Sequence, residues 1–407
     1  MTRSSAESVC AAPSVSKADQ PMKLRPVLDG TFRANPDYDL KHFDSLPAGQ
    51  RELFSALKGD PDFYGVLSPR NGSPLPLKSA CSDTAVLFLS LRETGKLPSF
   101  VTSKPGPDMN QAVAEMVLAG VLQILHEGEL LHGAPAFDAV CESSGGGHAA
   151  SEIAQLSRDA LLYAQTLPFR DANLVASRLY GYGRIPATAS WKKTFPNEEA
   201  VRRCLSIHDD GKNAARLNRR WKEFPRDPEN DGWIFWQSVS GIAGRRGAAC
   251  KLYVSPHPSF LREGFEALAS AAERTGANAF KIGRDLSGVL RPDKMVAYFS
   301  QFEQLREAAD RIATELKGCI AQGVPFTAQI GSPLVSWGTD PPMEKDLPVW
   351  LSRQSWRLWV VNRLAVSLLM AKQGPPANME PWKFAVDRLR LEGVDTDTWT
   401  PIAKDNN

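Results

Sequence analysis

The sequence predicts an α+β protein. Its C-terminal half should form a split β-α-β (ferredoxin-like) unit, a four-stranded antiparallel sheet with two helices on one side, and a smaller mixed domain should precede it. Three observations predict this. Segments 251–255, 279–283 and 327–330 alternate polar and apolar residues, as half-buried strands do. Two intervening stretches carry apolar stripes at helical spacing: Leu261, Phe265, Leu268 and Ala272, then Phe302, Leu305, Ala309, Ile312 and Leu316. From Cys250 to Ile330 the order reads strand, helix, strand, strand, helix, strand.

The strands divide their side chains between two faces, because successive strand residues point oppositely. Leu252, Val254, Phe280, Ile282, Phe326, Ala328 and Ile330 are expected on a buried face. Lys251, Tyr253, Lys281, Tyr298, Thr327 and Gln329 are expected on the other. With both helices on one side, this second face is left free for something else. Lysines and phenols on an open sheet face suit an anionic ligand.

The rest of the 407-residue chain is organised around that unit. Residues 1–25 are Ser-, Ala- and Lys-rich without periodicity, an expected disordered tail. Residues 26–145 form the expected small α+β domain. It has a short helix from Pro47 to Leu57, a strand at 63–67, and a hairpin from Val117 to His132 turning at Glu127-Gly128. Glu142 to Gly147 is Gly-rich and reads as a boundary. It lacks the Lys and Ser/Thr of a phosphate-binding P-loop. The main domain spans 150–372. Within it Ser151 to Leu167 is helical, 331–342 reads as a rigid loop, and 347–370 reads as a helix apolar all round and therefore buried. Residues 373–407 are a C-terminal extension.

Composition excludes several classes. Apolar residues make up 43% and charged residues 23%, normal for a globular protein. The net charge of +2 gives no dominant field for nucleic acid. No apolar run approaches the roughly 20 residues that a membrane helix needs, and no hydrophobic signal core opens the chain, so a cytoplasmic location is expected. The six cysteines are scattered without a CxxC pair, which argues against a zinc site or a disulfide framework. No cofactor is indicated.

Residues 175–372 resemble the Hop-type effector family, first met among type III secretion effectors of plant-pathogenic bacteria. Lyase-like relatives occur in class V lanthipeptide and thioviridamide-like peptide biosynthesis. The resemblance rests on Phe280-Lys281-Ile282, on Arg291-Pro292-Asp293 leading to Tyr298, on Pro325-Phe326-Thr327, and on the loop from Gly331 through Trp337 to Pro341. The family's Ser-Phe-Gly-x-x-Arg segment has its counterpart in Ser355-Trp356-Arg357, without that Gly and spaced Arg. Arg357 or Arg363 stands as the substitute. The resemblance implies a metal-independent phosphoserine/phosphothreonine lyase. It would work beside a separate kinase-like partner on a ribosomally made precursor peptide and leave dehydroamino acids. The alternative is a non-catalytic protein-binding or phosphopeptide-binding adaptor.

Such an elimination needs a base, a cationic clamp and a hydrogen-bond donor. Lysine serves as base when burial or neighbouring cations lower its pKa. The candidate catalytic residues are therefore Lys281, Tyr298 and Tyr253. Arg284, Arg291, Arg357, Lys251 and Lys294 are the candidate phosphate binders, since an arginine fork matches phosphate oxygens. Asp293, Thr327, Trp337, Ser355 and Arg363 are candidate supports. Each has a plainer reading: Lys281 as an exposed strand lysine, Arg291 and Asp293 as a capped turn, Tyr298 as a core aromatic, and Trp337 as packing.

Overall fold

The computed structural model describes residues 23–70, 73, 75–103, 107–142, 151–225, 231–239, 250–341, 354–374 and 379–402. The expected tail up to Met22, most of the Gly-rich boundary and residues 347–353 of the expected apolar helix lie outside the described residues.

The chain is α+β. Two small antiparallel sheets come first: β1 (Phe32–Ala34) and β2 (Tyr38–His42), then β3 (Phe63–Pro69), β4 (Lys78–Cys81), β5 (Leu122–His126) and β6 (Glu129–Leu131). Their orders are β1-β5-β6 and β2-β3-β4. The β5–β6 hairpin turns through Glu127 and Gly128, both at positive φ. That backbone is what a tight hairpin needs and what glycine adopts without penalty. Val117 and Leu118, read as part of this hairpin, instead close the Pro107–Leu118 helix.

The main sheet comprises β7 (Trp221–Glu223), β8 (Trp233–Ser238), β9 (Cys250–Val254), β10 (Ala279–Gly283), β11 (Met295–Phe299), β12 (Ala328–Ile330) and β13 (Ser332–Thr339). Its order is β12-β13-β9-β11-β10-β8-β7, antiparallel throughout. The expected four strands are thus corrected to seven. The strand beside β9 is β13, in the stretch read as a loop. Pro333, Gly331 and Gly338 hid it. Pro333 lies where the β12–β13 register slips, a place where a strand tolerates a missing N–H.

The helices Leu261–Thr275 and Phe302–Glu315 pack on one face of this sheet. Leu252, Val254, Phe280, Ile282, Ala328 and Trp337 belong to that apolar core. Phe326 does not. Its φ of 62° breaks the alternation and sends the ring into a second core with Trp399 and the Trp356–Gln373 helix. This helix is buried on most of its circumference, as its composition requires. The four described thiols at Cys81, Cys141, Cys204 and Cys319 are free, whereas Cys250 is disulfide-bonded, a departure from the expected reduced set.

Candidate active site

Strand register builds the free face of the main sheet row by row. Lys251, Tyr298 and Ala279 pair across β9, β11 and β10. Two residues along, Ser336, Tyr253, Val296, Lys281 and Phe235 pair across β13, β9, β11, β10 and β8. The expected lysine-and-phenol face therefore exists. Trp233 extends it from β8.

Lys281 sits on aromatic surface. Its Nζ is 4.2 Å from the centre of the Trp233 ring and 5.7 Å from that of Tyr298. It finds no hydrogen-bond acceptor among the described residues. Burial lowers its pKa to about 8. Asp293 opposes that shift, while Arg291 and Lys251 add to it. The result is an amine that is partly neutral near neutral pH.

Arg291 shares the same indole. Its Cζ lies 4.9 Å from the Trp233 ring centre, so the two cations are no farther apart than these two distances combined. Arg291 donates through Nε and Nη2 to the two carboxylate oxygens of Asp293, each at 2.8 Å. The Tyr180 hydroxyl donates to Asp293 Oδ2 at 2.9 Å. Arg357 Nη1 stands 2.9 Å from the same oxygen, an ion-pair contact without hydrogen-bond geometry. Burial alone would raise the Asp293 pKa, but Arg357, Arg291 and Tyr180 together hold it well below the carboxylate range. For Arg291 burial lowers the pKa and Asp293 outweighs it, so the guanidinium is firmly charged. The capped-turn reading and the anion-binding reading of this pair hold together: Asp293 orients a charged fork.

The phenols stay protonated. Burial raises the pKa of Tyr253, Tyr298 and Tyr180, so each keeps an O–H to donate. Tyr253 packs with Val296 and Val324, whereas Tyr298 borders Lys281.

Other candidates are placed elsewhere or already engaged. Arg284 is spent on the Trp233 carbonyl and on Glu198, at 2.7–3.1 Å. Lys294 is fully buried and donates to Pro256 O at 2.9 Å and Gln322 Oε1 at 2.5 Å. Burial lowers its pKa to about 7. Both are struts rather than phosphate ligands. Arg357 is fully buried, donating to Pro325 O and Tyr180 O, so it braces Asp293 instead of reaching an anion itself. Lys251 pairs with Asp340. Thr327 bonds Val324 O and Ser336 Oγ beneath Tyr253. Trp337 stands on the helix-covered face against Phe302. Ser355 caps the Trp356–Gln373 helix, and Arg363 turns away to Glu392 and the Trp359 ring.

Tyr180 and Trp233 complete this cluster, and the sequence reading named neither as a site candidate. Trp233-Ile-Phe-Trp-Gln is a run of aromatic and β-branched residues, the composition of a strand, and that signal could have placed Trp233. Beside Arg291 and Asp293 opens a cleft of about 840 Å³, walled also by Tyr163, Tyr180, Tyr182 and Leu358. Lys281 is not among its walls and adjoins it through Arg291. Among the described residues, no group of three or more His, Cys, Asp or Glu is placed to hold a metal, and no helix is long and apolar enough to cross a membrane.

No sequence-family profile matches the chain, and no curated protein does. Among solved structures it is similar to the effector protein from Pseudomonas syringae pv. tomato strain DC3000, with 10% identity, a TM-score of 0.36, and coverage of 62% of this chain and 100% of that one. It is similar to the type III effector/phosphothreonine lyase OspF from Shigella flexneri, with 14% identity, a TM-score of 0.27, and coverage of 45% and 98%. It is also similar to the phosphothreonine lyase SpvC, an effector protein from Salmonella, with 10% identity, a TM-score of 0.27, and coverage of 53% and 99%. Likeness at this level transfers no residue roles.

Proposed function

We propose that the protein is a lyase eliminating phosphate from phosphoserine or phosphothreonine in a peptide. The observation that carries this reading is the pairing of Lys281 with Arg291 on one indole ring. One is an amine with a lowered pKa and no acceptor among the described residues, and the other a charged fork oriented by Asp293.

In this reading Lys281 takes the α-proton. The electrons of the broken Cα–H bond form the Cα=Cβ double bond, and the Cβ–O bond breaks. The electron pair of that bond goes to the phosphate oxygen, which takes up the proton that Lys281 removed. Hydrogen phosphate departs against Arg291, Lys281 is neutral again, and the dehydroamino acid remains. At pH 7 a lysine of pKa about 8 is neutral in about one molecule in ten, against fewer than one in a thousand for an unperturbed lysine. Tyr298 donates a hydrogen bond to the peptide carbonyl or the leaving oxygen. No residue in this scheme requires a metal or organic cofactor.

The sequence resemblance supports a finer version. In it the substrate is a ribosomally made precursor peptide, phosphorylated by a separate kinase-like partner, in the cytoplasm. Incubation with a synthetic phosphothreonine peptide tests the chemistry by mass spectrometry. Loss of phosphoric acid is expected, and an unchanged phosphopeptide overturns the reading.

The adaptor reading keeps one specific support. The Ser355-Trp356-Arg357 segment lacks the family's Gly and spaced Arg, and Arg357 is committed to Asp293 and two carbonyls. It predicts phosphate-dependent peptide binding without turnover.

A further inference from the structure

The cleft beside Arg291 extends well past the group that would hold phosphate. It is walled by the last turn of the Ala172–Tyr180 helix, the following Gly181–Arg184 segment and the start of the Trp356–Gln373 helix. Its charged side chains are Arg178, Arg184, Arg291 and Asp293. Asp293 is neutralised by Arg291 and Arg357. Arg178 and Arg184 are both exposed, and neither forms an ion pair among the described residues. Arg178 lies 5.8 Å from the Phe169 ring centre, and Arg184 donates to the carbonyl and hydroxyl of Ser287 at 2.8 and 3.1 Å. Those neutral partners hold the Arg184 fork in place without a direct ion pair among the described residues. Its pKa is lowered, first by partial burial and then by Arg291, with Asp293 and Asp285 pulling the other way. Tyr163 and Tyr182, 5.7 Å apart, and Leu358 supply apolar wall.

We infer that this cleft receives an acidic stretch of the substrate peptide flanking the phosphorylated residue, with Arg178 and Arg184 as specificity-determining cations. The inference rests on the lyase reading for what sits at Arg291. The occupant follows from charge complementarity: two unpaired guanidinium groups continue the positive field of the phosphate clamp along one groove. The volume is within the range of ligand clefts and exceeds what a phosphate group alone would fill.

The test uses the full chain and three phosphothreonine peptides, identical except that the residues flanking the phosphothreonine are Glu, Ala or Lys. Phosphate loss is followed by mass spectrometry and binding by fluorescence anisotropy. The expected result is a KM about fivefold lower for the Glu peptide than for the Lys peptide, with a preference that weakens as salt is raised. Arg184→Glu should invert that order, and Arg178→Glu should move it in the same direction. Equal KM values for the three peptides overturn the inference and leave the lyase reading standing. If no peptide loses phosphate but anisotropy still ranks Glu above Lys, and Arg184→Glu reverses the ranking, the lyase reading falls and the cleft assignment holds. No turnover and no ranked binding overturns both.

Discussion

The patch around Lys281 and the pocket around Lys294 lie within two residues of each other along the β10–β11 pair, and each holds a lysine whose pKa burial has lowered. What differs is the company. Lys294 donates to a backbone carbonyl and to Gln322, whose amide donates in turn to Gly183 O and Leu290 O. Lys281 faces the rings of Trp233 and Tyr298 and finds no acceptor among the described residues. Desolvation alone thus does not mark a base. A lowered pKa on an amine tied to two acceptors is a structural strut. A lowered pKa over aromatic faces, beside an oriented arginine, is a lone pair available to a substrate.

The sharpest way to break this comparison is to remove each amine. Lys281→Ala should reduce phosphate elimination by about 10²–10⁴-fold, the usual contribution of a general base, with melting temperature held or raised because a desolvated charge is gone. If kcat/KM of Lys281→Ala stays within a few-fold of the parent protein, Lys281 is not the base.

Asp293→Ala comes next. It removes one carboxylate from two guanidinium groups, of which Arg357 is fully buried. Leaving such a charge uncompensated costs about 3–5 kcal/mol, readable by chemical denaturation. Activity should fall as well, because Arg291 loses the two bonds that aim its fork. Arg291→Lys separates the two roles. It keeps the charge but not the bidentate geometry, so kcat/KM should drop by more than stability does.

These contrasts show how much the sequence could convey. The alternation in β9 and β10 was legible because one face of the sheet is sealed by helices, which forces a period of two, and Lys281 and Tyr253 followed from it. β13 was not legible, because Pro333 and two glycines imitate a loop. The roles of Arg284 and Lys294 were not legible either. Glu198 lies 86 residues from Arg284, and Gln322 lies 28 from Lys294; no local pattern encodes such partners. Tyr180 reaches Asp293 across 113 positions for the same reason. A sequence shows which face a side chain takes more readily than whether that side chain is already occupied.

A smaller effect is expected from Lys294→Met. The apolar side chain escapes the desolvation of the ammonium but strands Pro256 O and Gln322 Oε1. Each unsatisfied group costs about 1–3 kcal/mol, so a net loss of stability of that order is expected, with kcat little changed. A comparable fall in kcat would place Lys294 in the chemistry and erase the distinction between the two lysines.

The subtlest difference is in pH dependence. The base form of Lys281 is the neutral one, so kcat/KM should climb with pH and level off above a pKa of about 8, roughly tenfold from pH 7 to the plateau. Stability should climb over a wider window. Both lysines have folded pKa values below that of the unfolded chain, about 10.4. Between about pH 7 and 10 the unfolded state therefore binds more protons, and unfolding becomes less favourable as pH rises. The buried tyrosines oppose this only above pH 10, where unfolded phenols ionise first. The two lysines then separate by substitution. Lys294→Met should remove the part of the stability rise that begins near pH 7 and leave the alkaline limb of kcat/KM in place. A conservative change in the other patch, Phe235→Leu beside Lys281, should move that limb toward higher pH by admitting water to the amine. A kcat/KM profile flat from pH 6.5 to 9.5 in the parent protein would mean that no group with the lowered pKa of Lys281 carries the proton.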